Sequence, residues 1–447
     1  MYNRKMNLSI AGAVRAELSS RIAFIGAGGK TTALFQVARN LRSPVIVTAT
    51  SHLGTWQTTF ADRHILDDSN ASLEGLEHGL NGIVLVTGGV EGDRTGPVND
   101  DVLHQLHQFC SSRNIPLLIE ADGSRQKPLK AWADHEPPIP SFVNQVVHVA
   151  GLKAVGRPLN NDYVYRAESF SNISGLAIDE PITGQAIANA MIHPDGGLKN
   201  SPQRARKVAV LNQADTADLQ SSASRMVQPL LSTYNSVVIS CLSENKVFAR
   251  YEPTAGIVLA AGDSSRYGQA KQLLDWRGES FVRAVARTAL NAGLSPVIVV
   301  TGANAAEIEP AVQDLDIHLV RNTDWKSGQG SSIRAGILAT RSSYVGGAIF
   351  LLADQPQVTT SILRALTEKH AEDQAPIVAP MVMDRRANPV LFDRDTFRDL
   401  ESVQGDMGGR AIFHKYQVEY LPWHDDRLLL DVDTPEMYKR LIGDQTL

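Results

Sequence analysis

Short, unbroken apolar runs recur along the chain. Each ends in a glycine-rich or polar turn, and several lead into segments whose apolar residues fall three and four apart. In the first half the runs are Ile22 to Ile25, Pro44 to Thr50, Gly82 to Gly89, the apolar parts of Pro116 to Asp122 and Lys207 to Asp215, which end in acids and in Asn-Gln-Ala-Asp, and Ser236 to Ser240. In the second half they are Ile257 to Ala261, Pro296 to Thr301, His318 to Val320 and Ala348 to Leu352. Runs this short and this uniformly apolar predict strands buried on both faces. Leu34, Val37, Ala38 and Leu41 predict a helix opening at Lys30. Phe281, Val282, Val285 and Leu290 predict another over Ser280 to Asn291, with Gly293 as its stop. Alternating buried strands and amphipathic helices predict an α/β fold of two doubly wound, mainly parallel-sheet domains. The stretch Asn245 to Thr254 reads as a linker, so the domains are expected at 1–250 and 251–447. Ligands are expected at the carboxyl ends of the strands.

In the second domain, Ile257 to Ala261 runs into a Gly- and Ser-rich turn, Gly262 to Gly268, that carries Arg266; Lys271 follows. A buried strand entering a small-residue loop presents backbone N–H groups to a phosphate, and two flanking cations match a triphosphate. The cradle would be Leu259, Ala260, Ala261, Gly262, Ser264 and Gly268, with Arg266 and Lys271 as its charge. Asp354 stands just past a second buried strand, placed to hold Mg²⁺ between phosphate oxygens. Ser331 and Ser332 follow Gly328 and Gly330; their hydroxyls read the edge of a bound base or simply cap a helix start.

The first domain opens similarly, with RIAFIGAGGKTT over 21–32. Gly26, Gly28 and Gly29 form a loop after a strand, and Lys30 and Thr31 open the helix. This is the physics of a P-loop: amides and a helix N-terminus for phosphates, Lys30 for the outer phosphates, Thr31 for Mg²⁺. Phe24 stands where the full P-loop pattern has its first glycine. Glu120 and Asp122, at the end of another strand, hold Mg²⁺ or cap the following turn. Asn212-Gln-Ala-Asp215 is similar to a guanine-reading motif with Gln213 in place of lysine, or is an ordinary turn. Lys127, Lys130, His135 and Glu136 face a second substrate or solvent.

The stretch LAAGDSSRYGQAK (259–271) resembles the signature of the molybdenum cofactor nucleotidyltransferases, and its Ala-Ala-Gly is closest to the cytidylyltransferase branch. LADQP around Asp354, RRANPVLF over 385–392, GDMGGR over 405–410 and LDVDTPEMY over 430–438 follow in that family's order. The resemblance implies a Rossmann-like nucleotidyltransferase that transfers CMP from CTP to the phosphate of molybdenum-molybdopterin. It implies Asp354 and Asp433 as Mg²⁺ ligands with Asp431 assisting, and Asn388, Pro389, Asp406 and Arg410 on the acceptor side. The GAGGKTT loop, EADGS and HEPPIP resemble the YqeC-type family, accessory proteins of selenium-dependent molybdenum hydroxylases. That resemblance implies a maturation role and transient contact with apo molybdenum hydroxylases; the P-loop-like residues themselves point to ATP or GTP at this site. Two other readings stay open: a nucleotidyltransferase with a different phosphomonoester acceptor, and a nucleotide-gated cofactor carrier.

Composition narrows the partners. A net charge of −5 over 447 residues supplies no polyanion-binding field, so nucleic acid is not expected. Two cysteines, Cys110 and Cys241, make neither a metal pattern nor a disulfide framework. The first ten residues hold no apolar signal core, and no uncharged run approaches the ~20 residues of a membrane span. The chain therefore reads as cytoplasmic, without a membrane.

Overall fold

A computed structural model of the chain describes residues 8–67, 76, 80–264, 267–432 and 434–443. Arg266 and Asp433 lie outside the described residues. The chain forms two compact units, Met1–Tyr251 and Glu252–Leu447, each a mixed α/β structure around a mostly parallel sheet.

The first unit is built on β1 Arg21–Gly26, β2 Val45–Ala49, β3 Arg63–Leu66, β4 Ile83–Thr87, β5 Leu117–Glu120, β6 Gln145–Gly151, β7 Arg206–Asn212, β8 Ser236–Cys241 and β9 Lys246–Tyr251. Their order across the sheet is β9-β8-β7-β6-β1-β5-β2-β4-β3. Every pairing is parallel except β8 with β9. Helices α1 Lys30–Asn40, α2 Asp100–Arg113, α3 Ala167–Ser174, α4 Gly184–Ile192 and α5 Ala217–Leu231 occupy the connections. The period of two decides the layers. Ile22 and Phe24 of β1 pack with Leu34 and Val37 of α1, whereas Ala23 and Ile25 face Leu106 and Phe109 of α2. The residues read as a linker supply β9 instead. Only four residues separate β8 from β9, too few for a crossover, so the chain must return antiparallel.

The second unit holds β10 Thr254–Ala260, β11 Val297–Thr301, β12 His318–Arg321, β13 Gly347–Leu352, β14 Ile377–Val382, β15 Arg385–Arg386, β16 Val390–Asp393 and β17 Val418–Pro422. The order is β12-β11-β10-β13-β16-β14-β15, with β17 beside β14. Strands β10 to β13 are parallel, whereas β16 is antiparallel to both β13 and β14. Helices α6 Phe281–Asn291, α7 Gln329–Ala339, α8 Thr360–Asp373 and α9 Pro435–Gly443 belong to this unit. Val258 and Val299 face one core with α6 and α8; Ile257 and Val300 face the other with α7.

Both cysteines are free and buried, and burial pushes the Cys110 thiol up to about 12. Among the described residues no helix is long and apolar enough to cross a membrane.

Candidate functional site

In the second unit the β10 carboxyl end opens into a cavity of about 540 Å³. Leu259, Ala261, Gly262 and Ser264 line one side, Gly328, Gln329 and Ser332 another, and Lys271, Asp354 and Asp406 supply charge. Ala260 stays in the core. Nothing lies within 4 Å of a Cβ placed on Gly262, so its missing side chain keeps the cavity open. Gly268 sits at φ +83°, a backbone state that favours glycine.

Gln272, which the sequence reading passed over, shapes this loop. It is buried, and its Nε2 donates to the Gly262 carbonyl at 2.9 Å while its Oε1 accepts from Ser264 Oγ at 3.1 Å. Ser264 Oγ also accepts from the Lys271 amide at 3.1 Å. Lys271 Nζ pairs with Asp354 Oδ2 at 3.0 Å, and both side chains keep some exposure, 14% and 29%. Lys271, expected to supply charge, and Asp354, expected to hold Mg²⁺, therefore meet on one wall of the cavity.

Ser331 and Ser332 are not helix caps. Helix α7 begins at Gln329 with Gly328 as its N-cap, two residues earlier than the sequence suggests. Asn322 Nδ2 donates to both hydroxyls, at 2.8 and 3.0 Å. Of the pair only Ser332 borders the cavity. Gly328 packs tightly under Gly405 and Asp406, so a glycine there lets the 405–410 segment close over α7.

A second cavity, about 340 Å³, shares Leu259, Gln329 and Leu352 with the first. Phe350, Phe392 and Phe413 give it an apolar side; Arg385, Arg386, Arg410, Asn388 and Asp431 give it charge and polarity. Arg386 lies over the Phe413 ring at 4.3 Å. Pro389 is buried behind Asn388 and lines neither cavity. Asp406 and Arg410 face different cavities and form no ion pair with each other among the described residues; Arg410 Nε donates to the Met407 carbonyl. Asp431 accepts from Gln355 Nε2 at 2.7 Å. Arg385 and Arg386 were missed as cavity residues. The double arginine ahead of an apolar strand is a visible signal, but only the fold turns it inward.

In the first unit the β1–α1 loop departs from the expected cradle. The amides of Gly26, Ala27 and Gly28 already donate, to Asp122 Oδ2, the Val149 carbonyl and the Lys127 carbonyl. Gly26, Gly28 and Gly29 all have positive φ, and Cβ atoms there would overlap Val149, Gly151 and Asn212 respectively. Packing thus requires these glycines before any ligand is considered. Asn212 closes the arrangement: Nδ2 donates to the Gly28 carbonyl at 2.7 Å, and Oδ1 accepts from the Leu242 amide at 2.9 Å. It is a structural tie, and Asp215 pairs with Lys153 at 3.2 Å, so Asn212 and Asp215 do not converge as a base reader.

Lys30 does not reach into open space. Its ammonium is 3% exposed and lies 2.6 Å from Asp122 Oδ1, 3.5 Å from Glu120 Oε1, and against the Asp122 carbonyl. Burial works against its charge, but Asp122 and Glu120 outweigh it and raise the Lys30 pKa. Asp122 cannot serve as the expected metal ligand. Its oxygens are fully buried and taken by Lys30, by Lys130 at 3.1 Å, by Trp132 Nε1 at 2.7 Å and by the Gly26 amide. Glu120 Oε2 accepts from Thr31 Oγ1 at 2.8 Å at the start of α1, and burial raises the Glu120 pKa. Lys130 is likewise enclosed, between Asp122 and Glu136.

Two family models match the chain: the MobA-like NTP transferase domain over residues 256–420 and the YqeC protein over residues 22–168. The first half is similar to the uncharacterized protein YqeC of Escherichia coli, 31% identical over 47% of this chain and 82% of that one. The second half is similar to nicotine blue oxidoreductase of Paenarthrobacter nicotinovorans, 32% identical over 42% of this chain and 95% of that one. It is also similar to molybdenum cofactor cytidylyltransferase of Escherichia coli, 24% identical over 40% of this chain and 91% of that one.

Proposed function

The chain belongs to the YqeC family through its first unit and to the MobA-like NTP transferase family through its second, and from that premise we propose that the second unit transfers CMP from CTP to the phosphate of molybdenum-molybdopterin. The observation that carries this reading is the pair of adjoining cavities. One has a glycine loop with Lys271 and Asp354, the other has three arginines, one of them over an aromatic ring, and the two share the Leu259–Leu352 wall.

The acceptor is a phosphomonoester, an anion at neutral pH, and needs no strong base. One of its oxygens attacks the α-phosphorus, the bond to the β-phosphate oxygen breaks, and pyrophosphate leaves. The chain's task is alignment and charge compensation. Lys271 faces the charge that builds on the leaving pyrophosphate. The loop held by Gln272 presents its amides to the phosphates, and Arg410 with Arg385 and Arg386 receives the acceptor's phosphate end. Asp354 suits a divalent cation, because its partly exposed carboxylate offers a hard oxygen to the cavity and, among the described residues, only Oδ2 is paired, with Lys271. Bound there, Mg²⁺ would neutralise triphosphate charge, with Asp431 assisting as the family resemblance implies. The downstream partners on this reading are apo molybdenum hydroxylases.

The test is Mg²⁺-dependent pyrophosphate release from CTP, GTP and ATP, with and without molybdenum-loaded molybdopterin. Release from CTP only when the acceptor is present is the expected result. The acceptor needs this direct test, because a relative of higher identity than the cytidylyltransferase is named for an oxidoreductase. Release with a different phosphomonoester alone would reassign the acceptor. No release from any nucleotide by folded protein would overturn the enzyme reading in favour of a nucleotide-gated carrier.

A further inference from the structure

We propose that the first unit holds a nucleoside triphosphate in its own cavity, with Arg94, Arg125 and Lys127 supplying the charge and Trp56 the platform for the base. Lys30 stays outside the ligand shell. The inference does not depend on the reaction of the second unit.

The cavity measures about 570 Å³, inside the roughly 300–1,000 Å³ range of small-molecule sites. The start of α1 forms part of its wall, through Gly29, Lys30 and Thr31. The amides of these three residues have no backbone acceptor among the described residues, whereas those of Gly26, Ala27 and Gly28 all donate. Helix α1 is 11 residues long, so its N-terminus adds a favourable field for an anion. Arg94 and Arg125 are exposed on the same cavity and have no carboxylate within ion-pair distance among the described residues; Arg125 lies 5.0 Å over the Tyr165 ring. Lys127 Nζ donates to the Asp162 carbonyl at 3.0 Å and has no carboxylate within ion-pair distance among the described residues.

Two further atoms point to a ligand. Ser51 and Gln213 line this cavity, and Ser51 Oγ and Gln213 Oε1 have no hydrogen-bond partner among the described residues. Buried polar atoms are almost always paired; a phosphate oxygen would accept from Ser51 Oγ, and a ribose hydroxyl would donate to Gln213 Oε1. The aromatic side is tied to the phosphate side by a single residue step. Gln57 Nε2 donates to Thr31 Oγ1 at 2.9 Å, and neighbouring Trp56 is 55% exposed beside the cavity, braced edge-on by Phe60. An indole so exposed beside unpaired guanidinium groups suits a flat base joined to a polyphosphate. Thr31 Oγ1 and Glu120 Oε2, 2.8 Å apart, offer oxygen donors for an accompanying divalent cation.

The experiment is photolabelling of the full chain with azido-ATP and azido-GTP in the presence of Mg²⁺, with the label located by peptide mapping. Label on the 51–60 segment is expected, and excess tripolyphosphate should displace it. Arg94→Ala with Arg125→Ala should reduce that label by about ten-fold or more, with acceptor-dependent pyrophosphate release by the second unit unchanged. Trp56→Ala should weaken the nucleotide while leaving tripolyphosphate binding in place. Label confined to residues 252–447, no label on folded chain, or label indifferent to the arginine exchange would each overturn the proposal.

Discussion

Lys271 and Lys30 each close on an aspartate just past the end of a buried strand, but the surroundings give the two pairs different work. Lys271 and Asp354 are partly open on a cavity. A partly exposed pair contributes little to stability, so Asp354→Asn should leave the melting temperature almost unchanged. It should lower kcat for nucleotidyl transfer by about 10²–10³-fold if charge compensation is its task, and steady-state kinetics beside a thermal melt reads both. Lys30 and Asp122 are sealed, with Lys130 and Trp132 completing the shell. Removing one partner of a buried pair leaves an uncompensated charge, so Lys30→Met should cost about 3–5 kcal/mol by denaturant titration. The Gly-Gly-Lys-Thr letters could not distinguish these cases. They report which groups stand after the strand, and only the position of Asp122 decides that the lysine turns inward.

At the scale of elements, each candidate site depends on a side chain that ties two loops. Gln272 clamps the turn after β10 through Gly262 and Ser264. Gln272→Ala should raise KM for the nucleotide by about ten-fold, because the loop amides lose their alignment; a KM unchanged in initial-rate data would remove Gln272 from the site. Asn212, at the end of β7, holds both the β1–α1 loop and the turn after β8. Asn212→Ala should destabilise the first unit by about 1–3 kcal/mol, the cost of orphaning buried partners, measurable by urea unfolding. The strands themselves were legible, since β1, β2, β10, β11 and β13 coincide with apolar runs. Strand β9 was not, because Lys246 to Tyr251 is only partly buried and carries a charge near each end, so it reads as a connector. Its strand character comes from the β8 edge it pairs with.

At the scale of the molecule, each unit has its own layered core, and acid should reach the first through a buried histidine. Burial lowers the His148 pKa from the ordinary 6.5 to about 4, with Nδ1 sharing a hydrogen bond with Tyr234. The unfolded chain therefore binds a proton at His148 before the folded unit does. Stability falls as pH drops through 6.5 and levels below about 4, a loss on the order of 3 kcal/mol. Melts of the first unit at pH 7, 6, 5 and 4 should show this slope, and His148→Gln should flatten it. The sequence by itself determined the two α/β halves, the carboxyl-end placement of the glycine loops and the family of each half, because burial period and loop composition are local properties of the chain. Tertiary structure decided which polar groups are available. It closed Lys30 and Asp122 into a sealed pair, gave Asn212 and the Ser331 hydroxyl to internal bonds, and gathered Trp56, Arg94, Arg125 and Gln213 around one cavity. Hydrogen bonding and burial depend on what folds against each group, and those partners come from remote parts of the chain.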